Sequence, residues 1–349
     1  MNMDNIPNLF GLKYTNRDFS KKNSWGKNQF NSSFPASLCC YMHSKNLKAN
    51  YFIIKNKEFK IHDIGFDELF GLDPNGDELF FNFETQFHEY SKLINNNIPR
   101  TDLVTSNRFN NNQIADLEIK LTALPDHTTA TLGENLYGSE IVIRPDTIIY
   151  LVCSIIKNIQ KSYFDPNIVN SLFSEDIWDN EKMIIKNFNK IKKFNADISS
   201  SIKNKPFLLQ PIWKTVGKSS SLADNCFDVF VWSSSSFLFF INNLANSMPT
   251  TSINRHQRTL IWIVKMIFDF YKYKRINYQN IFDKLSFNTR NDKAFAVSGN
   301  ITNKFMKCNN LLKPRIRKNE LQNIILNGGE DFLSPERRLD AAICNSSLF

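Results

Sequence analysis

The chain has 349 residues, 42% hydrophobic and 22% charged, enough apolar material for a sizeable core and too much for a disordered polymer. No uncharged apolar run reaches the roughly 18 residues that cross a bilayer, and Met1 to Asn16 holds no signal-type apolar stretch. Six scattered cysteines without a C-x-x-C pair argue against a disulfide framework or a zinc cluster, so the expectation is a soluble, reduced, cytoplasmic protein. Charge is unevenly spread. Residues 1–150 carry 15 Lys+Arg against 18 Asp+Glu, whereas residues 151–349 carry 28 against 16. Arg255 to Lys318 alone holds 15 basic and 3 acidic residues, while Ile61 to Ser91 holds eight acids and neither Lys nor Arg. A pI near 9.1 with the excess gathered in one stretch suits a polyanionic partner, although a solvated Lys-rich surface produces the same totals.

In chain order, Asn16 to Ser33 is polar with Trp25 and Phe30 as isolated anchors, and reads as a loop or arm. Tyr51 to Ile54 is a short β-type run. Glu78 to Ile94 places Leu79, Phe80, Phe83, Phe87, Tyr90 and Ile94 at helical spacing, and Asn95 to Pro99 breaks it. Two strand-like runs follow, around Asp102–Thr105 and Ile114–Leu121, joined by the Asn-rich segment Ser106 to Asn112, which looks like a hairpin loop. Ile141 to Ile156 is apolar but interrupted by Arg144, Pro145 and Asp146. Glu181 to Phe194 is an amphipathic basic helix with Ile184, Phe188 and Ile191 on its apolar face. Pro206 to Trp213 and Asp228 to Ile241 read as buried strands, the second compatible with a helix, and Gln257 to Lys274 as a core helix. Strands grouped early among helices give a mixed α/β or α+β class rather than a regular βαβ series.

The run Ala115-Asp116-Leu117-Glu118-Ile119-Lys120-Leu121 alternates strictly, so in a strand Asp116, Glu118 and Lys120 share one face and Leu117, Ile119 and Leu121 the other. Two carboxylates and an ammonium on one face cost desolvation unless something compensates. An exposed edge strand with Glu118 and Lys120 paired is the bland alternative. Asp102 lies sixteen residues before Glu118 on the neighbouring run. An Asp on one strand with Glu-x-Lys on the next is the arrangement of metal-dependent nucleases. In that chemistry Asp102 and Glu118 offer hard oxygen ligands to Mg²⁺, and Lys120 orients the attacking water and neutralises the transition state. The other acid-x-Lys match, Glu58-Phe59-Lys60, has no Asp within thirty residues upstream. Glu84 is a further candidate metal ligand, placed by the periodicity on a helix and weighed against a solvated helix face. The five histidines are isolated, and neither G-x-x-x-x-G-K-[ST] nor G-x-G-x-x-G occurs, which disfavours nucleotide hydrolysis and dinucleotide binding.

Candidate DNA contacts fall in two groups. Arg17, Lys21, Lys22 and Lys27 lie in the N-terminal stretch with Asn28 and Gln29, and Arg290, Lys293, Lys304, Lys307, Arg315 and Arg317 lie in the basic block. Lys and Arg meet phosphates, whereas Asn, Gln and Arg also match base edges.

The blocks Leu9-Phe10-Gly11-Leu12, Asn16-Arg17-Asp18-Phe19, the long run from Trp25 to Leu38, Phe83-Glu84-Thr85-Gln86, Arg100-Thr101-Asp102-Leu103-Val104, Glu118-Ile119-Lys120-Leu121-Thr122 and Arg144-Pro145-Asp146-Thr147 together resemble the HindVP-like type II restriction endonucleases. The resemblance implies a restriction-endonuclease-like core, a mixed central β-sheet flanked by helices with an additional helical C-terminal part. On the family motif Asp102 matches the first acid, Glu118 the second and Lys120 the lysine, while the literal Pro-Asp is missing because Thr101 precedes Asp102 and Pro99 stands three back. Arg100 of the same block joins the candidate DNA contacts. The resemblance further implies Mg²⁺-dependent cleavage of double-stranded DNA at GRCGYC, a homodimer, and a partner methyltransferase. The expected organisation is an arm over residues 1–50, a nuclease core over 51–250 and a basic helical region over 251–349. The alternatives are a non-catalytic sequence-specific DNA-binding protein and a repair nuclease of the same fold.

Overall fold

The structure is a computed structural model that describes residues 27–55, 58–119, 140–160, 164–165, 167–215, 222–246, 252–287, 294–298 and 319. Its centre is a seven-stranded mixed sheet of β1 (Ala49–Lys55), β2 (Glu58–Ile64), β3 (Leu79–Thr85), β4 (Thr101–Asn107), β5 (Gln113–Ile119), β7 (Pro206–Thr215) and β8 (Leu222–Ser233). The order across the sheet is β2-β1-β8-β7-β5-β4-β3. The run β3-β4-β5 is an antiparallel meander, β5 lies parallel to β7, β7 is antiparallel to β8, and β8 is parallel to β1. A separate antiparallel pair joins β6 (Glu140–Ile143) to β9 (Phe295–Ser298).

Strand alternation divides the core into two layers, because successive side chains leave opposite faces of a sheet. Leu103, Leu117, Ile119, Leu209, Val229 and Val231 pack against Leu38, Cys39 and Met42 of α1 (Lys27–Ser44) and Phe66, Leu69 and Phe70 of α2 (Phe66–Phe70). Val104, Leu208, Phe230 and Trp232 face the larger cluster on the other side. That cluster is built from α4 (Pro145–Asn158), α6 (Glu181–Ser201), α7 (Ser234–Asn246) and α8 (Arg255–Tyr273), with α9 (Tyr278–Lys284) packed on α8. The short α3 (His88–Ser91) and α5 (Asn167–Leu172) and a 3-10 turn over Glu175–Trp178 lie between the longer helices. Both faces are covered, as expected for a mixed α/β sheet flanked by helices.

Local chemistry explains several boundaries. Pro145 at the first position of α4 sacrifices no hydrogen bond there, and its fixed φ suits a helix start. The Arg144-Pro145-Asp146 interruption therefore separates β6 from α4. In α6, Ile184, Phe188, Ile191, Phe194 and Ile198 are buried, while Lys182, Lys186, Lys190 and Lys193 face solvent, as the amphipathic pattern predicts. Asn254 caps α8: its side chain accepts the Gln257 N–H at 3.0 Å, and the Gln257 side chain accepts the Asn254 N–H at 3.1 Å.

Three expectations are corrected. The polar stretch read as an arm up to Ser33 is helical from Lys27 onward, and residues 1–26 lie outside the described residues. Glu78 to Ile94 is not one helix: Leu79 to Thr85 is strand β3, and only His88–Ser91 is helical. Its period is two where it matters, since Leu79, Phe81 and Phe83 pack on the α1–α2 side together. The Asp228–Ile241 run is both strand and helix. It switches at Ser233, whose hydroxyl accepts the Ser236 N–H at 3.1 Å and so caps α7. The basic tail from Lys304 to Lys318 lies outside the described residues.

Candidate active site

The site begins with the turn between β4 and β5. Asn107 accepts the N–H groups of Phe109 and Asn110 at 2.9 and 3.3 Å through its side-chain oxygen, and donates its own N–H to the Asn112 carbonyl at 2.9 Å. Asn111 takes a left-handed conformation, φ 57°, which Asn tolerates better than most side chains. The Asn-rich segment is thus the predicted hairpin loop, and it fixes the register. Leu103 pairs with Leu117 and Val104 with Asp116, with a bulge between Thr105 and Ser106. Continued by one residue, that pairing sets Asp102 opposite Glu118. Opposed residues of an antiparallel pair share a face, so the two candidate acids meet across adjacent strands.

This face is the one covered by α3 and α4. Asp102 and Glu118 are both half-buried. The Asp102 carboxylate accepts the backbone N–H of Ile119 at 2.7 Å, a bond from the partner strand. Glu118 accepts the hydroxyl of Thr147 on one carboxylate oxygen at 3.0 Å, and the hydroxyl of Thr101 lies 3.5 Å from the other. Strand β5 is interior, between β4 and β7, so the exposed-edge alternative for its acids does not hold.

Asp116, two residues before Glu118, is the most deeply buried acid of this face. Burial raises its carboxyl to about 7; a hydrogen bond from Tyr90 acts against that displacement and the charge of Glu118 adds to it. Burial likewise raises the phenols of Tyr90 and Tyr150. Tyr150, from α4, accepts the Phe87 N–H at 3.1 Å and donates to the Pro99 carbonyl at 2.8 Å. It therefore ties the chain before α3 to the segment that enters β4 just ahead of Asp102.

Glu84 sits on edge strand β3, not on a helix. The register Phe83 to Leu103 and Thr85 to Thr101 brackets it opposite Asp102, but Glu84 has φ 50° and is exposed. Among the described residues, no group of three or more His, Cys, Asp or Glu side chains converges closely enough to hold a metal ion. Arg100 is exposed immediately before β4. Lys27, Asn28 and Gln29 open α1, while Lys120, Arg17, Lys21, Lys22, Arg290, Lys293, Lys304, Lys307, Arg315 and Arg317 lie outside the described residues. Sequence reasoning missed Thr101, Thr147, Tyr90 and Tyr150 as parts of this site. Thr147 belongs to the Arg144-Pro145-Asp146-Thr147 block, but only the packing of α4 beside β5 shows that its hydroxyl meets Glu118.

A mixed sheet between helical layers, carrying two opposed acids on neighbouring strands, is a restriction-endonuclease-like architecture. Residues 25–349 match the HindVP restriction endonuclease family. Two curated relatives align along nearly the whole chain. A probable type II restriction enzyme HindVP of Haemophilus influenzae is 47% identical over 348 residues, 98% of this chain and 94% of the relative. The type II restriction enzyme HgiDI of Herpetosiphon aurantiacus is 42% identical over 348 residues, 98% and 96% of the two chains. This chain belongs to the HindVP restriction endonuclease family. No solved structure matches it.

Proposed function

We propose that the chain is a type II restriction endonuclease that uses Mg²⁺ to hydrolyse double-stranded DNA at a short palindrome, GRCGYC by resemblance. The observation that carries this reading is the opposed pair Asp102 and Glu118 at the start of β4 and the end of β5, in a chain of that family. The pair fits a hard divalent cation: its donors are carboxylate oxygens only, partly open to solvent, on adjacent strands. When bound, such an ion polarises the scissile phosphate and lowers the pKa of a water ligand.

The remaining roles fall to the protein's own groups. Asp102 and Glu118 hold the ion, and Glu84 adds a third carboxylate from β3 when its side chain turns inward. Lys120, two residues beyond Glu118 in sequence, orients the attacking water and offsets charge on the phosphate in the transition state. In-line attack leaves 5′-phosphate and 3′-hydroxyl ends. Arg100 and the basic residues Arg17, Lys21, Lys22, Lys27, Arg290 and Lys293 track the phosphates, while Asn28 and Gln29 read bases. A palindromic duplex site maps onto a homodimer, one strand cut per subunit. The chain acts beside a methyltransferase that protects the same site. Residues 1–50 serve as a DNA-contact segment, 51–250 as the catalytic core and 251–349 as a basic elaboration.

Plasmid DNA incubated with the protein, with and without Mg²⁺, tests this, followed by run-off sequencing of the ends. Discrete fragments cut within GRCGYC, and lost on chelation, are the expected result. An intact plasmid would make the protein a DNA binder without activity. Nicks confined to distorted duplexes would make it a repair nuclease.

A further inference from the structure

The block Arg144-Pro145-Asp146-Thr147 has no part in the acid–lysine chemistry, yet the fold brings it onto the acidic face. Pro145 starts α4, Thr147 lies in its first turn, and the Thr147 side chain is buried, 2% exposed. A buried threonine in a helix commonly turns its hydroxyl to a carbonyl three or four residues back. Arg144 accepts the Ile148 N–H at 3.3 Å, and Ile143 accepts the Ala294 N–H at 2.7 Å. The Thr147 hydroxyl instead reaches a Glu118 carboxylate oxygen at 3.0 Å.

We infer that Thr147 is a positioning residue of the site, fixing the orientation of the Glu118 carboxylate towards Asp102 and the ion. This rests on the assignment of Asp102 and Glu118 under the proposed function. Glutamate has one more rotatable bond than aspartate, so it has more orientational freedom to lose. Asp102 is held by the backbone of Ile119, a donor that no side-chain substitution removes. Thr101, the other hydroxyl near Glu118, has a single proton and a closer acceptor in the Leu117 carbonyl, at 3.2 Å against 3.5 Å. Thr147 therefore holds one Glu118 carboxylate oxygen from a buried position, through a hydroxyl that a side-chain substitution can remove. Groups that hold a metal ligand from behind, when removed, typically cost about ten- to a hundredfold in metal affinity or activity.

Thr147→Val keeps the shape and deletes the hydroxyl, while Thr147→Ser keeps the hydroxyl. Each full-length variant is titrated with Mn²⁺ alone by calorimetry, and its plasmid cleavage is followed against Mg²⁺ concentration, with melting curves recorded in parallel. The expected result is Mn²⁺ affinity weaker by about tenfold or more for the valine variant, a matching rise in the Mg²⁺ concentration that gives half-maximal cleavage, and recovery of both in the serine variant. Valine and wild-type proteins that are alike in Mn²⁺ titration, including both giving no binding heat, overturn the inference. So does a serine variant as impaired as the valine one, which would reduce Thr147 to packing. Asp102→Asn separates the two levels of the argument. If it cleaves like wild type, the acid-pair assignment itself fails; if it is inactive while Thr147→Val is unchanged, only the role of Thr147 falls.

Discussion

Burial moves the Asp116 carboxyl up to about 7, so the folded protein holds this proton more tightly than the unfolded chain, where an aspartate titrates near about 3.9. The associated stability is present in full below about pH 4 and is lost as pH rises through about 7. The displacement corresponds to on the order of 4 kcal/mol at most. Asp116→Asn removes the charge and keeps an oxygen for the Tyr90 hydroxyl. Its melting temperature is expected to exceed wild type at pH 8, with the difference closing towards pH 4; circular dichroism melts across that range check the sign. On the proposed function, Asp102 and Lys120 answer to chemistry rather than stability. Asp102→Ala and Lys120→Ala are expected to lower the plasmid cleavage rate by roughly a thousandfold or more. Melting, and DNA binding in Ca²⁺, should stay near wild type. Full cleavage by either would move the site elsewhere.

Helix α4 links the acids to the elements around them. Through Tyr150 it holds the backbone on both sides of β4's entry, at Phe87 and Pro99, and through Thr147 it meets β5. Tyr150→Phe leaves the ring in place but strands the Phe87 N–H and the Pro99 carbonyl. The expected cost is about 1–3 kcal/mol in urea unfolding, because buried polar groups left unpaired lose their desolvation energy. A loss of cleavage larger than that stability change predicts would mark α4 as holding Asp102 in place. The β4–β5 hairpin works in the opposite direction, from turn to site. The Asn107 turn sets the register, and a one-residue slip would send Asp102 or Glu118 to the α1–α2 face.

At the scale of the molecule, the proposed function assigns the basic excess of residues 151–349 to a polyanion partner. Changing Arg290, Lys293, Lys304 and Lys307 together to Gln is expected to weaken DNA binding evenly across sequences. The slope of log affinity against log salt should flatten by roughly 0.9 for each phosphate contact removed. A slope unchanged by all four would assign those charges to a solvated surface. The proposed dimer has a direct check: sedimentation equilibrium of the protein without DNA should return twice the 40.6 kDa chain mass.

The sequence by itself determined the acids and the hairpin. Strict alternation over Ala115–Leu121 and an Asn-rich turn specify two antiparallel strands, and a period of two leaves only one face for Asp116 and Glu118. It also determined the amphipathic α6 and the apolar α8, whose periodicity is long enough to be unambiguous. The Glu78–Ile94 stretch misled because a phenylalanine-rich strand followed by a short helix imitates a 3.6-residue period, and which aromatic face is buried depends on α1 and α2. Tertiary structure alone decided that β5 is interior and that Asp116 is buried. It alone brought Thr147 to Glu118 from twenty-nine positions away in sequence. A local pattern fixes the face on which a side chain stands; what covers that face comes from distant segments, and burial and hydrogen bonding depend on that cover.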